Sequence, residues 1–145
     1  MNERLQSLYK KYILEYSKKP FNEFKNEGAT EIITAYNPLC GDKFTFYLTI
    51  KDERIEQASF TGYGCSISKA SSSVLTKKAS GRTISELLVL IEDFLKIVEE
   101  NNPQSAGEIT EDEELVAFSG AREFPERKQC AVLGWEELRD KFSAL

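Results

Sequence analysis

Three cysteines and one aspartate are the residues of this chain whose types and spacing could do chemistry. They are Cys40, Asp42, Cys65 and Cys130. The chain has no histidine, which excludes Ser–His and Cys–His catalysis and any metal site with a histidine ligand from this chain. Thiolate sulfur combined with a carboxylate oxygen suits Zn²⁺ and does not suit Mg²⁺ or Ca²⁺. Because there is no CxxC pair, the pattern fits either one shared metal site or three unrelated buried thiols.

Each cysteine stands in a local setting that suits a metal ligand or a reactive thiol. Pro38 and Gly41 flank Cys40 and predict a sharply turned loop. Cys65 lies where a helix is predicted to begin, and the free N–H groups and the dipole there favour a thiolate and lower the pKa of its thiol. Cys130 lies close enough to the start of the last predicted helix to share part of this effect.

The elements that must position these residues can be predicted from periodicity. Apolar residues at helical spacing predict helices over about 2–16, 66–80, 83–98 and 125–142, with a short helix over 115–118. Thr83 and Glu86 have the spacing of a capping box. Alternating β-branched and aromatic residues predict strands over about 31–36, 44–50 and 55–63. The predicted fold class is α+β, with a small three-stranded antiparallel sheet covered on one face by helices.

The predicted hairpin has a consequence for the cysteines. A tight turn at Asp52 joins the second and third strands, so the open ends of the two strands should lie side by side. Cys40 precedes one of these ends and Cys65 follows the other, which predicts that they are neighbours. Cys130 can join them only if the last helix packs in the right place, and the sequence leaves that open.

Composition restricts the classes of function. A chain of 145 residues predicts a single domain over 1–145. The net charge of −5 and the pI of about 5.0 argue against nucleic acid as the main partner. The N-terminal residues lack the apolar core of a signal peptide, and the apolar runs are too short to span a membrane. We therefore expect a cytoplasmic protein without structural disulfides.

Two segments carry a resemblance to a known family. Residues 37–42 read NPLCGD and residues 62–68 read GYGCSIS. With the rest of the chain they resemble the iron–sulfur cluster assembly family of IscU and the N-terminal part of NifU, and most closely its SufU branch. IscU-type scaffolds carry a histidine directly before the third cysteine, where this chain has Gln129. An added segment over about 105–123 is also typical of the SufU branch.

The resemblance implies a function and a set of site residues. It implies a zinc ion bound by Cys40, Asp42, Cys65 and Cys130, and a protein that accepts persulfide sulfur and relays it. The implied partners are a pyridoxal-phosphate cysteine desulfurase of the SufS type and downstream SUF assembly proteins or apo-acceptors. Such a protein is sulfurtransferase-like and does not act as a stand-alone enzyme.

Within this hypothesis, the individual residues have predicted roles. Cys40 is the predicted sulfur acceptor, because a Pro/Gly loop moves more easily than a helix terminus. Arg127 aligns with a lysine of the IscU branch and is predicted to steady the thiolates or the incoming persulfide; a solvent-exposed charge is the alternative interpretation.

Two other functions compete with sulfur relay. The same four residues could hold a 2Fe–2S cluster or iron, because cluster ligation favours thiolates, and the chain would then be a cluster scaffold. It could also be a structural zinc domain that serves only as a docking module, although structural zinc sites usually have four strong ligands and no carboxylate.

Overall fold

The computed structural model describes residues 2–144, and a three-stranded antiparallel sheet lies at its centre. The strands are β1 (Glu31–Asn37), β2 (Asp42–Lys51) and β3 (Arg54–Tyr63), in the order β1-β2-β3. Asn37 pairs with Asp42, and Lys43 pairs with both Tyr36 and Tyr63. The end of β1, the start of β2 and the end of β3 therefore form one edge of the sheet. The predicted α+β class and three-stranded sheet are confirmed.

The β2–β3 hairpin sets which side chains are buried. Asp52 and Glu53 form its turn, and both have positive φ angles, of 53° and 61°, as a type I′ turn requires. Along β2, Phe44, Phe46 and Leu48 are buried at alternate positions, so one face of the sheet forms the core against the helices.

The N-terminal helical run covers one side of the core. It consists of α1 (Glu3–Leu8), a π-helical segment (Tyr9–Leu14) and α2 (Glu15–Lys18), so the helix predicted over 2–16 continues two residues further and is not a regular α-helix. The side chain of Asn2 caps it by accepting from the N–H of Leu5 at 2.8 Å. Leu8 and Ile13 are buried, which anchors this run on the core.

Helices α3 (Ser66–Ala79) and α7 (Pro125–Ser143) pack against each other and against the sheet. The Trp135 indole is fully buried, stacks on Phe94 with ring centroids 3.9 Å apart, and donates from Nε1 to Ser71 Oγ at 2.8 Å. A Cβ on Gly134 would lie 2.5 Å from Cζ of Phe46, so only glycine permits this approach of α7 to the sheet. These contacts fix the position and rotation of α7.

The segment between α4 (Ile84–Ile97) and α7 is more structured than predicted. It contains α5 (Ala106–Ile109), α6 (Glu113–Val116) and a 3₁₀ helix (Ala117–Glu123). The short helix predicted over 115–118 is therefore part of a longer helical stretch, and α5 was not predicted. Side chains of Ser105 and Asp112 cap α5 and α6, and such caps nucleate helical turns too short for apolar periodicity to show. The predicted capping box at the start of α4 is confirmed.

Charged side chains attach this segment to the rest of the molecule. Glu114 accepts from Lys77 at 2.9 Å and from Lys78 at 3.0 Å, and Lys78 also contacts Asp112 at 2.7 Å. Arg122 donates to the carbonyl of Ile97 at 2.6 Å, at the end of α4. The path from α4 into α7 is therefore held at two points. Within residues 2–144, no helix combines the length and the apolar character needed to cross a lipid bilayer.

Candidate metal centre

Three of the predicted ligands meet at the β1–β2–β3 edge of the sheet. The sulfur atoms of Cys40 and Cys130 and a carboxylate oxygen of Asp42 all lie within 4.8 Å of one another. Cys40 is exposed, whereas Asp42 and Cys130 are buried. Cys40 and Asp42 are close because one turn carries both, and Cys130 reaches them because the packing of α7 delivers it.

The turn that carries Cys40 is organised by Asn37. The backbone carbonyl of Asn37 accepts from the N–H of Gly41 at 2.8 Å, and Gly41 has a φ of +75°, a conformation that glycine adopts without strain. The side-chain Oδ1 of Asn37 accepts from the N–H of Leu39 at 3.1 Å, and its Nδ2 donates to the sulfur of Cys40 at 3.5 Å. The sequence analysis did not single out Asn37, because asparagine before proline is an ordinary turn residue.

Asp42 is a buried carboxylate that is only half satisfied. Asp42 is 2% exposed. Its Oδ1 accepts a hydrogen bond from the N–H of Cys65 at 3.2 Å. Oδ2 is buried and has no hydrogen-bond partner among the residues that the structure describes. A buried, unpartnered carboxylate oxygen is costly, and a cation between Asp42 and the two sulfurs would satisfy it.

Gly64 allows the end of β3 to close over Asp42. A Cβ at this position would lie 2.4 Å from Oγ of Ser68 and 2.6 Å from Oδ1 of Asp42. These distances are shorter than any non-bonded contact a real Cβ makes. The absence of a side chain is therefore what brings the N–H of Cys65 within reach of Asp42.

Cys65, the fourth predicted ligand, lies beside this group and not within it. It is the N-cap residue of α3, and its sulfur accepts from the N–H of Ser68 at 3.4 Å. It is not one of the three residues whose ligand atoms lie within 4.8 Å of one another. The structure thus brings the ligand atoms of Cys40, Asp42 and Cys130 within 4.8 Å of one another, and Cys65, which is exposed, interacts with Cys130 and lines the same cleft. Ser68 is a second residue that the sequence analysis missed.

The thiol of Cys130 has a different environment from the one expected. Its nearness to a helix start suggested a lowered pKa, but burial, followed by the neighbouring Cys65 and Asp42, raises the pKa of Cys130 above its usual range. Desolvation and the nearby groups outweigh any contribution from the helix terminus. Two cysteine sulfurs and one carboxylate oxygen form a donor set that fits Zn²⁺, which binds cysteine in its deprotonated form.

An open cleft of about 320 Å³ leads to the sulfur atoms. It is lined by the three cysteines together with Tyr9, Ser66, Ile67, Glu126 and Arg127. The guanidinium carbon of Arg127 lies 4.6 Å from the centre of the Phe124 ring, so a cation–π contact holds this exposed side chain at the mouth of the cleft. Its role toward thiolates or persulfides stays a prediction. Tyr9 belongs to the helix predicted over about 2–16, and the sequence analysis gave it no role in the site.

Large exposed side chains lie close in sequence to Cys40 and Cys65, which line the cleft. Leu39 is 92% exposed, Tyr63 63% and Tyr36 57%. Tyr36 and Tyr63 lie on either side of Lys43 in the strand register. We call Tyr36, Leu39 and Tyr63 the apolar rim. Exposed apolar residues grouped beside a cleft are typical of protein-binding surfaces.

Comparisons with known proteins identify relatives of this chain over nearly its full length. The chain is 32% identical to the iron–sulfur cluster assembly scaffold protein IscU of Streptococcus pyogenes, over 94% of this chain and 84% of that protein. It is 30% identical to the zinc-dependent sulfurtransferase SufU of Bacillus subtilis, over 94% of this chain and 90% of that protein.

A solved structure has the same fold over nearly the full chain. It is described as a candidate iron–sulfur cluster assembly scaffold protein for the SUF system of Fervidobacterium islandicum, with a TM-score of 0.80 at 26% identity, covering 93% of this chain and 96% of that one. The family model of the NifU-like N-terminal domain matches residues 8–131, a span that includes all three cysteines. This chain belongs to the NifU-like N-terminal domain family.

Proposed function

We propose that this protein is a zinc-dependent acceptor and relay of persulfide sulfur in iron–sulfur cluster assembly. The observation that carries the proposal is the grouping of Cys40, Asp42 and Cys130 within 4.8 Å of one another, with the Cys40 thiol exposed at the mouth of a cleft. The name of the Bacillus subtilis relative, a zinc-dependent sulfurtransferase, supports the same function.

Cys40, Asp42 and Cys130 would hold the zinc ion, with Cys65 as the fourth ligand after its side chain turns away from Ser68. When bound, zinc keeps its thiolate ligands deprotonated near neutral pH. The half-satisfied carboxylate of Asp42 supports a cation at this point.

Cys40 is the residue that we assign to sulfur acceptance. Its thiolate sulfur attacks the terminal sulfur of a persulfide on the donor, in the manner of thiol–disulfide exchange. The donor's S–S bond breaks, the donor cysteine leaves as a thiolate, and a new S–S bond forms on Cys40, with no net oxidation. Cys40 and Cys65 are exposed, whereas Cys130 is buried; of the two exposed cysteines, Cys40 lies on a turn and Cys65 caps α3, so Cys40 is the one that can move toward a donor more easily.

The proposed donor is a pyridoxal-phosphate cysteine desulfurase of the SufS type. A donor that carries its persulfide on a protein must approach Cys40 closely, and the apolar rim offers a surface for such a contact. We propose that Arg127, at the mouth of the cleft, attracts the anionic persulfide. Downstream SUF proteins or apo-acceptors would then receive the sulfur.

The first experiment is a metal analysis followed by a transfer assay. The protein is purified anaerobically without added metal, and its zinc and iron contents are measured. About one zinc per chain with no iron is the expected result. The protein is then mixed with a SufS-type desulfurase and cysteine, and mass spectrometry locates the added sulfur, which we expect on Cys40. Normal sulfur acceptance by a Cys40→Ser variant would overturn the assignment.

Neighbouring cations on α7 provide a matched test of Arg127. Arg127 lines the cysteine cleft, whereas Lys128 lines a separate groove with Glu92 and Glu136 on the other side of the helix. Arg127→Ala should slow sulfur acceptance, and Lys128→Ala should leave it unchanged. Equal effects of the two substitutions would assign Arg127 no particular role.

A second candidate function is assembly of a 2Fe–2S cluster on the same residues. The names of the Streptococcus pyogenes and Thermotoga maritima relatives, both IscU scaffold proteins at 32% identity, favour it. Substantial iron with little zinc, and a coloured protein that transfers its cluster to an apo-protein after anaerobic reconstitution, would establish this function in place of sulfur relay.

If the zinc site is structural and the protein serves only for docking, substitution of a ligand should affect folding. An Asp42→Ala variant that unfolds would favour it. A variant that stays folded but no longer stimulates the desulfurase would favour sulfur relay.

A further inference from the structure

Asn37 is the only side chain for which the described part of the chain gives a hydrogen bond to the sulfur of Cys40, with Nδ2 at 3.5 Å. Asn37 is 9% exposed, and its backbone pairs with that of Asp42 across the start of the sheet. One buried residue therefore contacts the proposed acceptor and adjoins the proposed carboxylate ligand.

The orientation of the Asn37 amide follows from its other contact. The N–H of Leu39 lies 3.1 Å from Oδ1 and requires an acceptor, which only the oxygen end of the amide provides. With Oδ1 committed to Leu39, Nδ2 and its two hydrogens must face Cys40. The turn itself thus determines that a donor, and not an acceptor, points at the sulfur.

A donor at this place acts on Cys40 alone among the three cysteines. The sulfur of Cys65 receives its hydrogen bond from the N–H of Ser68 at 3.4 Å, which is a backbone group at the start of α3. Cys40 lies on a turn of four residues, 38–41, where a side chain is freer to rotate than in a helix. Its direction toward Cys130 and Asp42 therefore needs a contact from outside the turn.

We propose that Asn37 is the positioning residue of the site, which holds the sulfur of Cys40 toward Cys130 and Asp42. The importance of Asn37 for sulfur acceptance rests on the proposed function. Its effect on metal binding can be measured separately. Residues that orient metal ligands through hydrogen bonds typically change metal affinity or activity by about 10–100-fold when they are substituted.

Two substitutions separate the positioning role from a role in the turn alone. In Asn37→Ser, the hydroxyl can still accept from the N–H of Leu39 but is too short to reach Cys40. In Asn37→Ala, both contacts are lost. The matched control is Asn102→Ser, because Oδ1 of Asn102 accepts from the N–H of Gln104 at 2.9 Å in the same kind of turn, far along the chain from any cysteine.

The measurement is the affinity of each purified variant for Zn²⁺ alone, by competition with a chelator, together with its thermal midpoint. We expect Asn37→Ser and Asn37→Ala each to bind zinc about tenfold more weakly than the wild type. Asn37→Ser should keep the higher midpoint of the two, and Asn102→Ser should bind zinc normally. Zinc affinity within twofold of the wild type for Asn37→Ser, with weakening in Asn37→Ala only, would show that Asn37 serves the turn alone and overturn the inference.

A second readout locates sulfur after incubation with a desulfurase and cysteine. The wild type should carry the added sulfur on Cys40, and Asn37→Ser should carry a larger share on Cys65. A wild type that binds zinc but accepts no sulfur would overturn the proposed function, while the order of zinc affinities would still decide the role of Asn37.

Discussion

The substitution Gly64→Ala tests whether the junction of β3 and α3 positions the carboxylate of Asp42. An added Cβ would lie 2.4 Å from Oγ of Ser68, 2.6 Å from Oδ1 of Asp42 and 2.9 Å from Cε2 of Phe44. The ring of Phe44 is fully buried and cannot retreat. Either the carboxylate must move or the backbone at Cys65 must lift away from it, and both movements break the 3.2 Å bond from the N–H of Cys65 to Asp42.

The size of the effect follows from these contacts. Overpacking a well-packed site typically costs about 1–3 kcal/mol, and loss of a hydrogen bond to a charged group costs about 1.5–3 kcal/mol. The two terms overlap, because one movement relieves the clash and breaks the bond. The smaller conformational entropy of unfolded alanine offsets about 0.4–1 kcal/mol. We expect a net loss of about 2–4 kcal/mol in the free energy of unfolding.

The assay is urea unfolding followed by circular dichroism, with zinc affinity measured by chelator competition. The control is Gly107→Ala in α5, where an added Cβ meets nothing within 4 Å. Its stability should be unchanged or slightly higher, because alanine favours a helix over glycine by about 1 kcal/mol. Zinc affinity should fall in Gly64→Ala only.

Wild-type stability and wild-type zinc affinity in Gly64→Ala would refute this reasoning. Reduced stability with unchanged zinc affinity would refute the part that concerns Asp42, because it would mean that the carboxylate keeps its place while the junction adapts.

Three further predictions follow from other contacts. Trp135→Ala should lower the free energy of unfolding by about 3–5 kcal/mol, measured by urea unfolding, because it removes the stack on Phe94; a loss below about 1 kcal/mol would contradict this packing. Burial raises the pKa of Glu114, but hydrogen bonds from Lys77 and Lys78 outweigh it and hold that pKa below 4.5. The Glu114 carboxylate therefore stabilises the fold at pH values above 4.5, and this contribution is lost as the pH falls through the lowered pKa. Glu114→Gln should be less stable than the wild type near neutral pH and equally stable in acid, as measured by urea unfolding at several pH values. Parallel curves of stability against pH for the two proteins would contradict this. Removal of metal by a chelator should lower the thermal midpoint, and added Zn²⁺ should restore it; a midpoint that does not respond to either would contradict a bound zinc ion.

Local signals predicted a large part of the fold and some of the site. The alternation of Phe44, Phe46 and Leu48 predicted a half-buried strand, because side chains on a strand alternate between its faces. The spacing of Thr83 and Glu86 predicted a capping box, because its two hydrogen bonds lie within one helical turn. The hairpin predicted that Cys40 and Cys65 are neighbours; both line the same cleft, and the N–H of Cys65 donates to Asp42, two residues after Cys40.

Tertiary packing decided the rest. The position of Cys130 depends on Trp135 and Gly134, whose contacts with Phe94 and Phe46 join residues far apart in the sequence.

Sequence by itself thus determined most of the elements, the strand pairing and the types of the ligands, because these depend on residues close in the chain. Only the tertiary structure decided which ligands meet and that Asp42 keeps one buried oxygen without a partner. Those features depend on side-chain orientations that long-range packing selects, and neither periodicity nor spacing records them.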